Sequence, residues 1–513
     1  MDGSIPSAVS LIAVLLVATY YWTKSDPVPL PPGPKGHPIF GNALEISAAG
    51  ASWLKFAEYA DAYGPIVSVR ILHQRMYILS DHHLATELLE KRASNYSNKG
   101  ANGMAKLIGW DKDIMFMALG PTFKRYRTML SRALNNRVAP DYISVQQEEV
   151  RSLMKRLVQS PNSFMEHVHL MGASIAVRIA YGHKVESYDD PFVQVAEEHM
   201  IGLSELMLPW KWAVNVIPAL RHLPLSLPIF PFQRRAKQAK RIFDLHCQEP
   251  FKFVQEQMAS GTAEDSFTSK LLQPENGQLP DDDTKEHVQC IAATLYGAGS
   301  DTTVSAVQSF FLAMTLYPQA QVKAQAEIAA YMQEQSMHDA PRRMLSITDR
   351  PHLPYTSALV RELLRWHPIV PLTPRRLGNE DDNNIVSRGQ TYRIPAGSLI
   401  LTNMWKMLHD PEVYEQPKRF MPERYLAANP PPDPENYAFG FECALVYMWH
   451  SSHYGFRNLL LNFTISKAKN KLGEDIIPEE RYTNGIVSHP LPFDCSIVPR
   501  EGCKERILEH TTE

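Results

Sequence analysis

The chain is short of cysteine. Its five cysteines (Cys247, Cys290, Cys443, Cys495 and Cys503) are scattered through 513 residues without paired spacing. That excludes a disulfide framework and fits a reducing compartment. An excess of one charge is also missing: the net charge is -3, too small for the electrostatic footprint of a nucleic-acid binder. There is no internal repeat and no low-complexity block, so solenoids and disordered arrays are excluded. What remains is a chain 44% hydrophobic with 39 prolines, the composition of a large globular protein with many ordered loops.

Long apolar runs are few, and the first opens the chain. Ile5–Trp22 is almost free of charge; as a helix it would be about 27 Å long, close to the ~30 Å hydrocarbon core of a bilayer. Tyr20, Tyr21 and Trp22 stand where an interfacial aromatic belt belongs, followed by Lys24 and Lys35. No basic region precedes the run and no small-residue cleavage site follows it, which argues against a secretory signal. The expectation is a single transmembrane anchor over residues 1–24 with the body on the cytosolic side. Residues 25–38, centred on Pro31-Pro32-Gly33-Pro34, cannot be helical and form a stiff extended hinge. Residues 39–513 are then one body, mainly α with small β-sheets.

Within that body the periodicity predicts a helix over Ala51–Tyr63, strands at Ile66–Ile71 and Arg75–Leu79, and a helix over Asp81–Lys91. From about 115 to 340 helical spacing dominates. The stretch Leu206–Phe232 is apolar, proline-rich and aromatic, a loop suited to touching lipid and admitting apolar molecules. Tyr392–Leu401 reads as a hairpin turning at Pro395-Ala396-Gly397, and Asn484–Ile497 as a terminal hairpin.

One buried helix breaks the rules of a core. Apolar residues at helical spacing run from Val288 to Met314, yet Gly297 and Gly299 interrupt them, each costing about 1 kcal/mol relative to alanine. Ser300, Asp301, Thr302 and Thr303 follow at once, polar groups that a core otherwise rejects. Glycines let a flat ligand approach the backbone, and the hydroxyls and carboxylate can open the helical ladder or hold water. A glycine-kinked core helix explains the same residues, so this stretch decides nothing alone. Phe123–Arg127 is likewise a basic helical run that suits either a solvated face or an anion site.

Taken together, Pro31-Pro32-Gly33-Pro34, Ala298-Gly299-Ser300-Asp301-Thr302-Thr303, Glu362-x-x-Arg365 and Phe420-x-Pro422-Glu423-Arg424 resemble a membrane-bound cytochrome P-450. That family comprises haem-thiolate monooxygenases, and the likeness is to its fungal-type microsomal branch. Each motif is common by itself, but four in this order across nearly the whole chain are specific. The resemblance implies heme b (iron protoporphyrin IX with an axial thiolate) and electrons from NADPH through a membrane NADPH-cytochrome reductase. It also implies an apolar small-molecule substrate such as a terpenoid, steroid, polyketide or aromatic. Ala298 and Gly299 would lie at the haem face, with Asp301 and Thr302 relaying protons. Glu362, Arg365 and Arg424 would form a buried ion triad, and Arg127 and Arg375 would bind haem propionates. The family's tryptophan is replaced here by Phe123.

The family's cysteine loop, Phe-x-x-Gly-x-Arg-x-Cys-x-Gly, is not intact. After Tyr437-Ala438-Phe439-Gly440-Phe441 stands Glu442-Cys443-Ala444-Leu445-Val446-Tyr447-Met448-Trp449. Cys443 is the candidate metal ligand, but it comes four residues after Phe439 instead of seven. The preceding glycine and arginine and the following proline and glycine are absent. Glu442 sets a carboxylate beside the thiol, which disfavours the thiolate. Reading the codons of Glu442–Trp449 from each third base permits Met-Cys-Pro-Gly-x-Tyr-Val-Ala, the family's loop and the start of its helix, with Val and Ala forced. The family pattern returns by Leu459-Leu460-Leu461-Asn462-Phe463. Two rivals to an active monooxygenase follow: a family member made inactive by this loop, or a membrane-anchored binder of hydrophobic ligands that lacks haem.

Overall fold

A computed structural model describes residues 28–100, 102–133, 142–208, 211–224, 230–274, 278–336, 343–438 and 446–509. The expected anchor over 1–24 lies outside them, and among the described residues no helix is long and apolar enough to cross a membrane. The long helices, in chain order, are α1 (Ser52–Tyr63), α2 (Pro121–Ala133), α3 (Ile143–Gln159), α4 (Phe164–Tyr181) and α5 (Pro191–Leu206). They continue with α6 (Pro231–Ser260), α7 (Asp282–Leu316), α8 (Pro318–Ser336), α9 (Pro354–Trp366) and α10 (Val446–Asn462).

Helix α7, 35 residues long, is the axis of the core. Asp281 caps it by accepting from the Thr284 N–H at 2.8 Å, and Asp282 and Asp283 sit in the first turn, where the helix dipole favours negative charge. It stops at Leu316 because Pro318, two residues on, cannot continue it. Its main neighbour is α4, with Phe164 and Phe311 rings 5.1 Å apart. The two backbones approach closely at Gly172, where an added Cβ would meet a Val304 methyl at 2.7 Å and the Ser300 carbonyl at 3.1 Å.

Among the described residues, nine strands make three small sheets. Strands β1 (Ile66–Ile71) and β2 (Gln74–Leu79) form a hairpin; β3 (Leu372–Arg376) and β6 (Leu399–Asn403) complete the sheet in the order β1-β2-β6-β3. Only the β2–β6 pairing is parallel, with Met76 opposite Leu399. Strands β4 (Asp382–Ser387) and β5 (Gln390–Ile394) pair by themselves; β7 (Phe463–Lys469) lies between β8 (Asp475–Ile476) and β9 (Cys495–Pro499). The hinge residues after Val28 have no helix, as expected. The Pro32 carbonyl accepts from the Ser68 N–H at 2.7 Å, so close that a Cβ on Gly33 would lie 1.8 Å from the Ser68 carbonyl oxygen.

Two expected hairpins are corrected. Pro395-Ala396-Gly397 does not turn a hairpin over Tyr392–Leu401: β5 pairs back to β4 through Arg388 and Gly389, both at positive φ. β6 crosses to the other sheet, because its five residues are all buried and need partners on both edges. Nor is Asn484–Ile497 one hairpin: its first half turns back on Arg481–Thr483, with Tyr482 and Pro490 in an antiparallel bridge. β9 pairs with β7, Ile465 opposite Ile497, because both isoleucines are buried in the main core.

The contact at Gly172 leads to a stability prediction. Gly172→Ala should push α4 from α7 and cost about 1–3 kcal/mol, read as a lower melting temperature than wild type by circular dichroism.

Candidate active site

Between Cys290 and Thr315, α7 is buried at every position except five: Ala298, Ser300, Asp301, Thr302 and Thr303. The helix that runs through the core thus opens to space at the stretch the sequence singled out. Thr302 Oγ1 donates to the Ala298 carbonyl at 2.7 Å, and Thr303 Oγ1 to that of Gly299 at 2.7 Å. Both hydroxyls therefore bond back one turn, a pattern that loosens and bends the local ladder.

Asp301 faces a cavity of about 500 Å³ bounded by α4, α5, α7 and the loop Thr483–Pro492. Its Oδ1 lies 3.0 Å from His489 Nε2, and His489 Nδ1 is 3.3 Å from Gln308 Oε1. Other contacts also fasten the loop. Ser305 Oγ donates to the Ser488 carbonyl at 2.6 Å. The Ser488 N–H bonds the Ile369 carbonyl at 2.9 Å. Tyr482 Oη, just before the loop, donates to Ser309 Oγ at 3.4 Å. Sequence reasoning assigned Asp301 but not its pairing with His489: their separation along the chain hides the pair, and only the return of the C-terminal loop over α7 makes it.

Glu362, Arg365 and Arg424 meet in one buried cluster. Both Glu362 oxygens accept from Arg365, from Nε and Nη2 at 2.8 Å each, and Arg424 Nε donates to Oε2 at 3.0 Å. A fourth donor is the Met421 N–H at 2.8 Å. The remaining guanidinium protons reach backbone carbonyls: Leu408 and Pro417 from Arg365, Glu415 from Arg424. Glu362 and Arg365 have zero exposure.

The expected propionate ligands are less convergent. Arg127 is on the exposed side of α2. Arg375 is buried in β3, its Nη1 donating to the Pro374 carbonyl at 2.9 Å. Its neighbour Arg376 instead lines a cavity of about 1210 Å³ together with Phe123 and Tyr126 of α2. Two adjacent arginines on a strand face opposite ways, and sequence alone does not say which faces the cavity. Asp113 is a second residue that sequence reasoning passed over. It is buried against the Met115 N–H at 2.8 Å, and burial pushes its carboxyl up to about 6 despite that bond and the Thr294 hydroxyl.

The described cysteines, Cys247, Cys290, Cys495 and Cys503, are buried and line neither cavity. Burial drives Cys247 well above the ordinary thiol value, Cys290 up to about 11 and Cys495 up to about 12. Cys503 is buried at the start of the C-terminal helix Cys503–Glu509, and Cys443 lies outside the described residues.

Two measurements follow from these burials. Glu362→Ala should leave two buried guanidiniums without their counter-ion and cost about 3–5 kcal/mol, seen as loss of the cooperative thermal transition or a large fall in its midpoint. Asp113, with a folded pKa above its unfolded one, contributes stability below the unfolded value that is lost as pH rises through about 6. Asp113→Asn should therefore be more stable than wild type at pH 8 by roughly 2–3 kcal/mol, the gain shrinking towards pH 4 in denaturant titrations.

Comparison with known proteins agrees with this geometry. Residues 31–441 match the family model for cytochrome P450. Cytochrome P450 monooxygenase 208 of Postia placenta is 36% identical, over 98% of this chain and 96% of its own length. The monooxygenase claT of Ampulloclitocybe clavipes is 34% identical over 98% and 97%, and COX2 of Coprinopsis cinerea 34% over 94% and 91%. A zebrafish cytochrome P450 solved with abiraterone superimposes with a TM-score of 0.65 at 20% identity, covering 88% of this chain and all of that one, a likeness of fold. With its accessible bay on a buried helix and its buried Glu362–Arg365–Arg424 brace, this chain belongs to the cytochrome P450 family, whose fungal members here are monooxygenases.

Proposed function

We propose that the protein is a fungal-type haem-dependent monooxygenase. It inserts one atom of dioxygen into an apolar small molecule of secondary metabolism, a terpenoid, steroid, polyketide or aromatic, with electrons from NADPH through a partner reductase. The observation that carries this is the opening of α7 at Ala298–Thr303, within a helix otherwise buried from Cys290 to Thr315. Apolar walls support a greasy substrate: Met165, Ala173, Val193, Met200 and Val487 line the Asp301 cavity. Asp301, held by His489, and Thr302 are the residues we assign to proton handling.

Haem with thiolate ligation is the family's cofactor, and the chain meets it only in part. The bay on α7 and the buried brace suit a large flat group. The ligand set does not: Cys247, Cys290, Cys495 and Cys503 line neither cavity, and Cys443 stands beside Glu442 without the loop that would present it. As translated, the sequence does not fit the cofactor there. That misfit favours a second reading, a family member that binds apolar ligands without oxidising them.

We place the body on the cytosolic face of the endoplasmic reticulum membrane, tethered by residues 1–24. Exposed Ile39, Phe40 and Leu44, just beyond the hinge, support contact with lipid. Co-expression of the native transcript with a fungal NADPH reductase in yeast microsomes tests the function. NADPH-dependent oxygen uptake stimulated by an apolar ligand is expected, and Asp301→Asn should lower it ~100-fold or more while leaving ligand affinity within a few-fold. A well-folded protein that binds such ligands but consumes no NADPH would establish the second reading.

A further inference from the structure

Asp301, Ser305 and Gln308 of α7 recur at i, i+4 and i+7 and so share one face of the helix. All three meet the C-terminal loop. Ser305 holds the Ser488 carbonyl, and Asp301 and Gln308 bracket the next side chain, His489. His489 Nε2 lies 3.0 Å from Asp301 Oδ1, and Nδ1 lies 3.3 Å from Gln308 Oε1. A neutral imidazole has a single N–H, whereas a carboxylate and an amide oxygen both accept. The two contacts are hydrogen bonds together only when the ring carries two protons.

Gln308 also makes the neutral ring comfortable. Its side chain has zero exposure, and its Nε2 has no hydrogen-bond partner among the described residues. The amide is therefore tied to His489 alone. Turned over, it loses no other bond and offers an N–H where it had offered oxygen, which suits a ring with a bare Nδ1. One amide end is unpaired in either orientation, so neither is favoured on that count. His489 can thus hold one proton or two without leaving its place.

The surroundings single out this ring. Burial lowers the pKa of His169 on α4, whose ring is stacked 6.3 Å from that of His489, and drives His367, bonded to Ser488 Oγ, well below the ordinary value. Both therefore stay neutral. On α5, Glu197 takes the Tyr188 hydroxyl and Glu205 pairs with Lys211. His489 alone has a carboxylate on one side and an adaptable amide on the other. It lines the Asp301 cavity, and so does exposed Thr483, which gives solvent a way in.

We propose that His489 is the proton donor to Asp301, and that Gln308 lets the ring lose and regain that proton in place. The Nε2–H bond breaks and an O–H bond forms on Asp301, so imidazolium and carboxylate become imidazole and carboxylic acid. The ring then takes a proton from solvent through the cavity. What the proton is used for rests on the monooxygenase reading; its exchange between the two side chains does not.

Deuterium uptake at histidine C2, followed by mass spectrometry over a pH series on the purified full chain, gives a titration midpoint for each histidine. Asp301→Asn should lower the His489 midpoint by about one pH unit or more, and Gln308→Glu should raise it by about as much, because an adjacent carboxylate favours the charged ring. His409, which burial holds at about 3, reports an intact core in each variant. A His489 midpoint unmoved in the folded variants overturns the proposal. In NADPH-driven oxygen uptake, His489→Gln keeps a donor for Asp301 but cannot carry a proton to it. The rate should fall about 10²-fold with a larger solvent deuterium effect and ligand affinity within a few-fold. An undiminished rate in His489→Gln would reduce the ring to holding Asp301 and overturn the proposal. A wild-type chain that takes up no oxygen overturns the monooxygenase reading instead, and the midpoints then decide the shared proton by themselves.

Discussion

At the centre of the structure a single carboxylate takes four hydrogen bonds in complete burial. Removing a charge like that of Glu362 from water is costly, and only good geometry on every lone pair repays the loss. Here Arg365, Arg424 and the Met421 N–H fill those positions, and the surplus guanidinium protons go to the carbonyls of Leu408, Glu415 and Pro417. The result binds a helix to the chain between Leu408 and Arg424, most of which has no regular secondary structure of its own to hold it. Such a loop would otherwise carry many orphan backbone groups into the interior. Because the pairs are interlocked, the arrangement has one low-energy geometry, and the segment that leads towards Phe439 inherits it.

The second organising element is the long axial helix, whose burial fails only over a short central stretch. Polar groups there are not left to compete for solvent. Thr302 and Thr303 satisfy themselves on carbonyls of the preceding turn, and Asp301 is held by His489. A functional surface in the middle of a core requires this local self-sufficiency, since side chains that roamed for partners would disorder the helix. Gly172 on the facing helix contributes by absence, letting α4 approach close enough to keep the rest of α7 dry.

How much of this was legible in the sequence depended on whether the signal was local. Helix α9 is local in this sense: Pro368 forbids its continuation, and the Glu362-x-x-Arg365 spacing puts both charges on one face. The accessible bay was legible because polar residues at 300–303 contradicted an apolar helix. Long-range pairings were not legible. Nothing near Tyr392 says that β6 leaves its neighbour for another sheet, and nothing near Asn484 says that β9 joins β7. His489 and Asp301 are brought together only by tertiary folding, as is the choice between Arg375 and Arg376 for the large cavity. The broken cysteine loop was visible at once as a departure from pattern.

The loop Thr483–Pro492 is fastened in place largely through main-chain atoms and a few small polar groups, the Ser488 carbonyl foremost. Its apolar side chains are therefore free of any structural duty on that face. Val487, Pro490 and Pro492 line the chamber as removable furniture bolted to a fixed rail. Relatives built on the same frame can thus exchange those side chains, and with them the shape of molecule admitted, while the axial helix and its carboxylate stay where they are.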